Sequence, residues 1–149
     1  MYKNRERKLN HLLDRLLVYA MEKDRLSVSS KASEIYSFLE ENKGTLSTDM
    51  QKKILQILSV SHSWTLLRAF QSKEYQHLGC EVVKLLDLSD PSFSAEVIRT
   101  LYKMGTYQFV DEIRPFSTLP PDDGFRWLNR EANKYVKKAD KLKDKHTKV

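Results

Sequence analysis

The sequence predicts an all-α protein in which antiparallel helices, joined by short connections, pack against one another. Apolar residues recur at intervals of three and four along most of the 149-residue chain, as one side of an α-helix requires. Four Gly and four Pro are few for a chain of this length and favour long helices over the many turns of an all-β protein. No stretch shows the alternation of apolar and polar residues that is typical of a half-buried strand.

The first two helices are predicted from an apolar stripe and a helix stop. Residues 5–23 carry six apolar side chains spaced by three and four, which predicts the first helix. Ser29 or Ser30 is the predicted N-cap of the second helix. Gly44 suits the left-handed position after a helix, so the second helix is expected to end at residues 42–44.

Polar side chains predict the starts of the next three helices. Thr48 and Gln51 fit a capping box at the start of the third helix. Ser63 is placed to cap a short fourth helix. Ser72 introduces a fifth helix, whose apolar side continues to about residue 86.

Proline and glycine delimit the sixth and seventh helices. Asp90 precedes Pro91, which places a capping side chain before a proline at the first helical position of the sixth helix. Gly105 is expected to end that helix. The seventh helix, roughly residues 107–114, is expected to end at Pro115 because proline cannot donate a backbone hydrogen bond.

The eighth helix completes the chain. Asp122 or Asp123 is its predicted N-cap, and its apolar periodicity continues to about Lys143. Residues 144–149 are expected to form a disordered basic tail. With 40% apolar and 31% charged residues, the chain has the composition of a single helical domain, residues 1–149, with a core of its own.

The segment around the sixth helix resembles the HEAT family of helical repeats. In that family a helix ending in leucines is followed by Asp-Pro, a second helix, and a glycine that leads into the next repeat. Leu85-Leu86, Asp90-Pro91 and Gly105 follow this order, and the resemblance extends over residues 85–113. It implies a short HEAT-like α-solenoid that binds a partner. An irregular helical bundle is the alternative architecture.

Positive charge is concentrated at the ends of the chain. Net charge is +6 overall, and residues 126–149 hold nine Lys or Arg against three Asp or Glu, whereas residues 32–125 hold nine against thirteen. At about 100° per residue, seven basic side chains of the last helix lie within about 120°, opposite the apolar side. This set, which we call the basic stripe, comprises Arg126, Arg130, Lys134, Lys137, Lys138, Lys141 and Lys145.

The basic stripe is interpreted either as a solubilising outer face or as a contact surface for an acidic partner. The partner could be a protein or the phosphate backbone of a nucleic acid. Trp127 and Tyr135 are expected to lie off the stripe, which leaves no ring for base stacking. A second candidate surface is the polar side of the sixth helix, where a HEAT-like stack would have its concave side: Glu96, Arg99 and Lys103.

No catalytic or metal-binding constellation is found in the sequence. The four histidines lack the spacing of a helical zinc site, and Cys80, beside Leu78 and Val82, is expected to be a small core residue. Adjacent carboxylates on a helix point about 100° apart and do not share a proton or a metal. The leading hypothesis is therefore a non-enzymatic scaffold that binds a protein, with no cofactor and no small-molecule substrate. Nucleic-acid binding by the last helix is the alternative.

The sequence also predicts a cytoplasmic protein with no membrane partner. The longest apolar run, residues 16–21, is far shorter than the roughly 20 residues that span a bilayer. The charged N-terminus lacks an uninterrupted apolar segment and a cleavage site typical of a signal peptide. A single cysteine excludes an intrachain disulfide framework.

Overall fold

A computed structural model of the chain describes residues 2–23, 25–41, 46–120 and 124–147, and no strand occurs in these ranges. The predicted all-α class is confirmed. The chain, which the composition predicts to be one domain, divides into two compact units, Met1–Ala69 and Phe70–Val149. Within the described ranges, none of the helices has both the length and the apolar character that a membrane span needs.

The helices of the first unit pack as two consecutive pairs. They are α1 (Tyr2–Met21), α2 (Arg25–Glu41), α3 (Thr48–Val60) and α4 (Trp64–Leu67), followed by a 3₁₀ turn, Arg68–Phe70. The Lys8 ammonium near the start of α1 lies 5.3 Å from the Phe38 ring near the end of α2, so these two helices are antiparallel. α1 also packs on α3, and α2 packs on α4.

The turn between α1 and α2 is tighter than predicted. Lys23 has a φ of +58°, in the left-handed region that commonly ends a helix and reverses the chain. Because α2 begins at Arg25, Ser29 and Ser30 lie inside the helix and cannot cap it. The predicted helix stop at Gly44 lies outside the described residues.

Serine side chains cap α3 and α4. The Ser63 hydroxyl accepts the Leu66 N–H at 3.3 Å, as predicted. The N-cap of α3 is Ser47, whose hydroxyl accepts the Met50 N–H at 3.4 Å, so the predicted capping box is wrong by one residue. The Gln51 amide instead donates to the backbone carbonyl of the residue before Ser47, at 2.7 Å.

The second unit is built around a central helix. Its elements are a 3₁₀ helix (Lys73–Leu78), α5 (Gly79–Val83), α6 (Pro91–Met104), α7 (Val110–Ser117) and α8 (Arg126–Thr147). α6 packs against the 3₁₀ helix, α5 and α8, while α7 packs on α8. α6 is consequently buried on most of its circumference.

Both ends of α6 have the predicted capping chemistry. The Asp90 carboxylate accepts the Phe93 N–H at 3.1 Å, and Pro91 occupies the first helical position. Gly105 has a φ of +79°, and its amide and the following one donate at 3.1 Å to carbonyls of the last turn. These paired hydrogen bonds form a Schellman motif, which glycine accommodates without Cβ strain.

The predicted fifth helix is instead two short segments. The Ser72 hydroxyl contacts the Glu74 carboxylate at 3.2 Å and caps nothing, and Tyr75 has a non-helical φ of −106° and ψ of 16°. α5 begins only at Gly79, where a Cβ atom would lie 2.9 Å from the Phe109 ring. Close packing against this ring requires glycine at that position.

α7 runs through Pro115 to Ser117 instead of ending there, and side chains of α8 bind the carbonyl of its last residue. The Asn129 side-chain amide donates to the carbonyls of Ser117 at 2.9 Å and Leu119 at 2.7 Å. The Asn133 amide donates to Ser117 at 3.1 Å. These bonds stabilise the end of α7 without a glycine cap and fasten it to the start of α8.

α8 ends later than predicted, and the residues predicted to cap its start lie outside the described ranges. Its backbone is helical to Thr147, four residues past the predicted end at Lys143. The predicted N-caps Asp122 and Asp123 lie outside the described residues, as do residues 148–149.

Candidate interaction surface

α8 has one buried face and one exposed cationic face. The buried side chains are Leu128, Ala132, Tyr135, Val136 and Ala139. The exposed side chains are Arg126, Arg130, Lys134, Lys137, Lys138 and Lys141. The remaining member of the basic stripe, Lys145, has a side chain outside the described part of the chain. The buried face packs on α6 and α7, so the structure presents the cationic face to solvent.

Tyr135 fixes the rotation of α8 about its own axis. Its side chain is fully buried, and its hydroxyl donates to the Thr106 carbonyl and accepts the Phe109 N–H, the latter at 3.2 Å. Burial raises the pKa of Tyr135 well above the ordinary tyrosine value, so the hydroxyl stays protonated. Because these bonds join α8 to the connection between α6 and α7, the direction of the basic stripe is set by the core.

The basic stripe keeps its positive charge. The Asp140 carboxylate on the same helix is bound by the Arg114 guanidinium of α7, at 2.8 and 3.4 Å. Hydrogen bonding to Asp140 raises the pKa of Arg114, so the guanidinium of this pair stays charged. Among the side chains that the structure describes, no carboxylate lies within ion-pair distance of Arg126, Arg130, Lys137, Lys138 or Lys141.

Aromatic rings border the basic stripe, contrary to the expectation from sequence. The Lys134 ammonium lies 4.8 Å from the centre of the Tyr102 ring, which α6 contributes. The Tyr107 ring meets the Tyr102 ring edge to face, at 5.7 Å and 85°. Trp127 is half-buried, and its position three residues before Arg130 and seven before Lys134 places it along the stripe.

The second predicted surface, on α6, is only partly exposed. Glu96 is 1% exposed, and its carboxylate accepts a hydrogen bond from the Gln71 amide at 2.8 Å. The same amide donates to the buried Thr100 hydroxyl at 3.1 Å. The predicted exposure of Glu96 is therefore wrong, because Gln71 lies across that side of the helix. Arg99 is half-buried and Lys103 is exposed.

Two of the surfaces that the sequence predicts separately are adjacent in the structure. Arg99 lies one helical turn before Tyr102 on α6, and the Tyr102 ring is the one that Lys134 of the basic stripe covers. Lys103 follows Tyr102 directly, and its ammonium lies 3.4 Å from the Gln71 side-chain carbonyl. The Tyr102 side of α6, with Arg99 one turn away, therefore borders the basic stripe, whereas Glu96 and the Lys103 ammonium lie on the Gln71 side.

Cys80 and the histidines do not form a reactive or metal-binding cluster in the described residues. Cys80 is exposed, so its predicted place in the core is wrong; α5 directs Val82 inward instead. His77, three residues earlier, is exposed as well. In the described part of the chain, no three His, Cys, Asp or Glu side chains are grouped closely enough to hold a metal ion.

No protein-family model, curated protein or solved structure matches the chain. The geometry of α8 and its neighbours is therefore the main observation from which a function can be inferred.

Proposed function

We propose that the chain is a non-enzymatic helical scaffold that binds an acidic protein partner through the basic stripe of α8. The observation that supports this proposal most is a row of exposed cationic side chains that no described carboxylate neutralises. From Arg126 to Lys141 the row covers fifteen residue steps, or about 22 Å of helix. A surface of one sign and this length attracts a complementary surface and fixes its orientation.

The order of helix contacts supports a HEAT-like stack of pairs within each unit. In the first unit, α1 packs on α2 and α3 packs on α4, while the leading helices α1 and α3 contact each other, as do the trailing helices α2 and α4. In the second unit, α5 packs on α6, α7 packs on α8, and the trailing helices α6 and α8 are in contact. Such like-with-like packing is typical of a short α-solenoid, whose usual role is binding.

Preorganisation of α8 favours binding over a merely solubilising face. The hydrogen bonds of Tyr135, Asn129 and Asn133 hold the helix on α6 and α7. The cationic groups therefore project from a backbone that is already ordered, and association does not have to order it. A partner with carboxylates along one face would contact these cationic groups at intervals of one helical turn.

Nucleic-acid binding is the second candidate function, and Trp127 is the observation that favours it. A half-buried tryptophan along a row of cations is one arrangement by which proteins hold single strands, through phosphate contacts and base stacking. Tyr102 favours this function less, because the Lys134 ammonium already covers one face of its ring.

A binding titration with three labelled probes tests the proposed function. The probes are a helical peptide of about twenty residues with Glu at every third or fourth position, an oligothymidine, and a DNA duplex. Fluorescence anisotropy is measured from about 50 to about 200 mM salt, the range over which phosphate contacts weaken by orders of magnitude. The acidic peptide should bind and should lose less affinity with salt than either DNA probe. Absence of peptide binding at the lowest salt would refute the proposed function.

A charge-reversal variant tests whether the basic stripe is the surface. The substitutions Arg130→Glu, Lys134→Glu, Lys138→Glu and Lys141→Glu should weaken peptide binding by at least about 100-fold, since close charge pairs contribute several kcal/mol. A control with the same change in net charge carries Glu at four exposed positions outside α8: Arg7, Lys52, Lys73 and Lys84. The control should keep most of the affinity, and circular dichroism should show equal helicity. Equal losses in both variants would mean that only net charge matters.

A further inference from the structure

We infer that the contact surface for the acidic protein extends from α8 onto the exposed edge of α6 and is centred on Lys134, which Tyr102 holds in position. This extension rests on the proposed function, because it specifies which residues of the same site contact the partner. It involves Arg99 and Tyr102 of α6, neither of which belongs to the basic stripe.

Lys134 differs from the other stripe lysines whose side chains the structure describes in having its ammonium group against an aromatic ring. Its Nζ atom lies over the Tyr102 ring at 4.8 Å, a distance at which the ring attracts a cation. An exposed lysine normally loses considerable rotamer freedom when it binds a carboxylate. Lys134 has already lost part of that freedom, so it binds a carboxylate at a smaller entropic cost than Lys138, which lies one turn further along the same face.

Tyr102 is itself held by a connected set of aromatic rings. The Tyr107 ring packs edge to face on Tyr102, and the Tyr107 hydroxyl donates to the Tyr102 backbone carbonyl at 3.2 Å. On the other side, the Tyr107 ring lies 5.6 Å from the ring of Tyr135, which is fully buried. The position of the Lys134 ammonium is therefore linked through three rings to the core of the unit.

The edge of α6 adds groups that suit a protein interface. Arg99 and Lys103 lie on either side of Tyr102 in sequence. The neighbouring Glu96 is buried, and its carboxylate accepts a hydrogen bond from the Gln71 amide. Tyrosine and arginine are, with tryptophan, the residue types enriched at the energetic centre of protein interfaces. This edge of α6 provides a half-buried tyrosine in contact with the Lys134 ammonium and an arginine one helical turn before it.

The state of the Tyr102 ring favours an acidic protein over single-stranded nucleic acid. A base stacks on the open face of an aromatic ring, but one face of Tyr102 is covered by Lys134 and the ring also packs against Tyr107. Stacking on the covered face would require displacement of the ammonium. A carboxylate binds Lys134 where it stands and leaves the ring undisturbed.

Substitutions at Tyr102 and Lys134 test this inference with the acidic peptide as probe. Tyr102→Leu, which removes the ring, should weaken binding by about 3- to 5-fold, whereas Tyr102→Phe, which keeps it, should stay within about 2-fold. Lys134→Ala should weaken binding more than Lys138→Ala. Arg99→Ala should weaken binding by about 2- to 3-fold, and Lys73→Ala, at an exposed position outside both helices, should not.

A double-mutant cycle isolates the role of the ring. Tyr102→Leu should add little to the loss caused by Lys134→Ala, because the ring acts through that lysine, but should add fully to the loss caused by Lys138→Ala. Thermal melts of all variants establish that each is folded under the conditions of the titration. Tyr102→Phe provides the fold-neutral comparison if Tyr102→Leu lowers stability.

The outcomes separate this inference from the proposed function. If the wild-type chain binds no acidic peptide, the proposed function fails. If it binds the peptide and the charge-reversal variant does not, but both cycles are additive or Lys134→Ala equals Lys138→Ala, only the inference about Lys134 and Tyr102 fails. If Tyr102 and Lys134 are coupled in binding oligothymidine but not in binding the peptide, the assigned partner class is wrong.

Discussion

α6 and α8 both carry charged side chains at helical spacing, but only α8 presents them as a continuous exposed row. α6 is packed by the 3₁₀ helix, α5 and α8, and its Glu96 is drawn into hydrogen bonds with Gln71. α8 packs on α6 and α7 with one face and leaves the opposite face in solvent. The comparison indicates that the number of elements packed around a helix decides the role of its charged side chains. They form hydrogen bonds within the fold where the helix is surrounded, and they are available to a partner where one face is in solvent.

The inner face of α8 should account for the largest stability effect. Tyr135→Leu removes a fully buried ring and leaves the Thr106 carbonyl and the Phe109 N–H without their hydrogen-bond partner. The free energy of unfolding should fall by about 3 kcal/mol, from lost packing and unsatisfied polar groups together. Urea denaturation measures the change as a lower midpoint with an unaltered slope. A loss below about 1 kcal/mol would mean that α8 is not anchored through Tyr135.

The same residue should give the stability of the protein a pH dependence in alkali. Burial raises the pKa of Tyr135 above its ordinary value of 10.0, so above that pH the unfolded chain loses the proton while the folded chain keeps it. Folding stability therefore falls as pH rises, by up to about 1.4 kcal/mol per pH unit from this group.

Tyr135→Phe isolates this contribution, because all other titrating groups are common to both proteins. The stability advantage of the wild type over the variant should be constant near neutrality and should shrink above about pH 10. Denaturation midpoints at several pH values provide the measurement. Parallel pH profiles would contradict the raised pKa.

A substitution on the polar side of α6 should lower stability without changing binding. Thr100→Val removes a buried hydroxyl that accepts from the Gln71 amide and donates to the Glu96 backbone carbonyl at 2.8 Å. The expected loss is about 1 kcal/mol, the usual net contribution of such a hydrogen bond. Thr48→Val, at an exposed position of α3, is the control and should change stability much less. Weaker binding of the acidic peptide by a folded Thr100→Val protein would assign this side of α6 to the interface.

The sequence predicts features that depend on a few neighbouring residues and misses those that depend on distant packing. The caps of α6 at Asp90 and Gly105 follow from local hydrogen-bonding chemistry, and the structure has both. The split of α8 follows in the same way from its periodicity. The burial of Glu96 depends on Gln71, twenty-five residues away, and no helical pattern contains that information.

The burial of side chains in short helical segments is equally hard to predict from the sequence. Cys80 lies two residues from Leu78 and two from Val82, which suggests a core position, but α5 begins only at Gly79, directly after the 3₁₀ helix. That start determines which side chains of the short helix face inward, and it exposes Cys80. Likewise, the contact between Lys134 and Tyr102 requires α6 and α8 to be neighbours, so the place of Tyr102 beside the basic stripe could not be inferred from α8 alone. The place of Trp127 along the stripe, by contrast, follows from helical spacing, and the expectation that it lies off the stripe was wrong.

Substitutions on the outer face of α8 should have the smallest effect on stability. They should also distinguish α8 most clearly from α6, because they should change binding and not the fold. Replacing Lys137, Lys138 and Lys141 by Gln should change the free energy of unfolding by no more than about 0.5 kcal/mol, because these side chains are exposed and pair with no described carboxylate. A slight gain is expected, since Lys137 and Lys141 are like charges four residues apart on one helix face. Peptide affinity and its salt dependence should both fall in the same protein. If the triple variant lost stability instead, and kept its affinity, the exposed lysines of α8 would serve the fold, and the contrast with α6 would disappear.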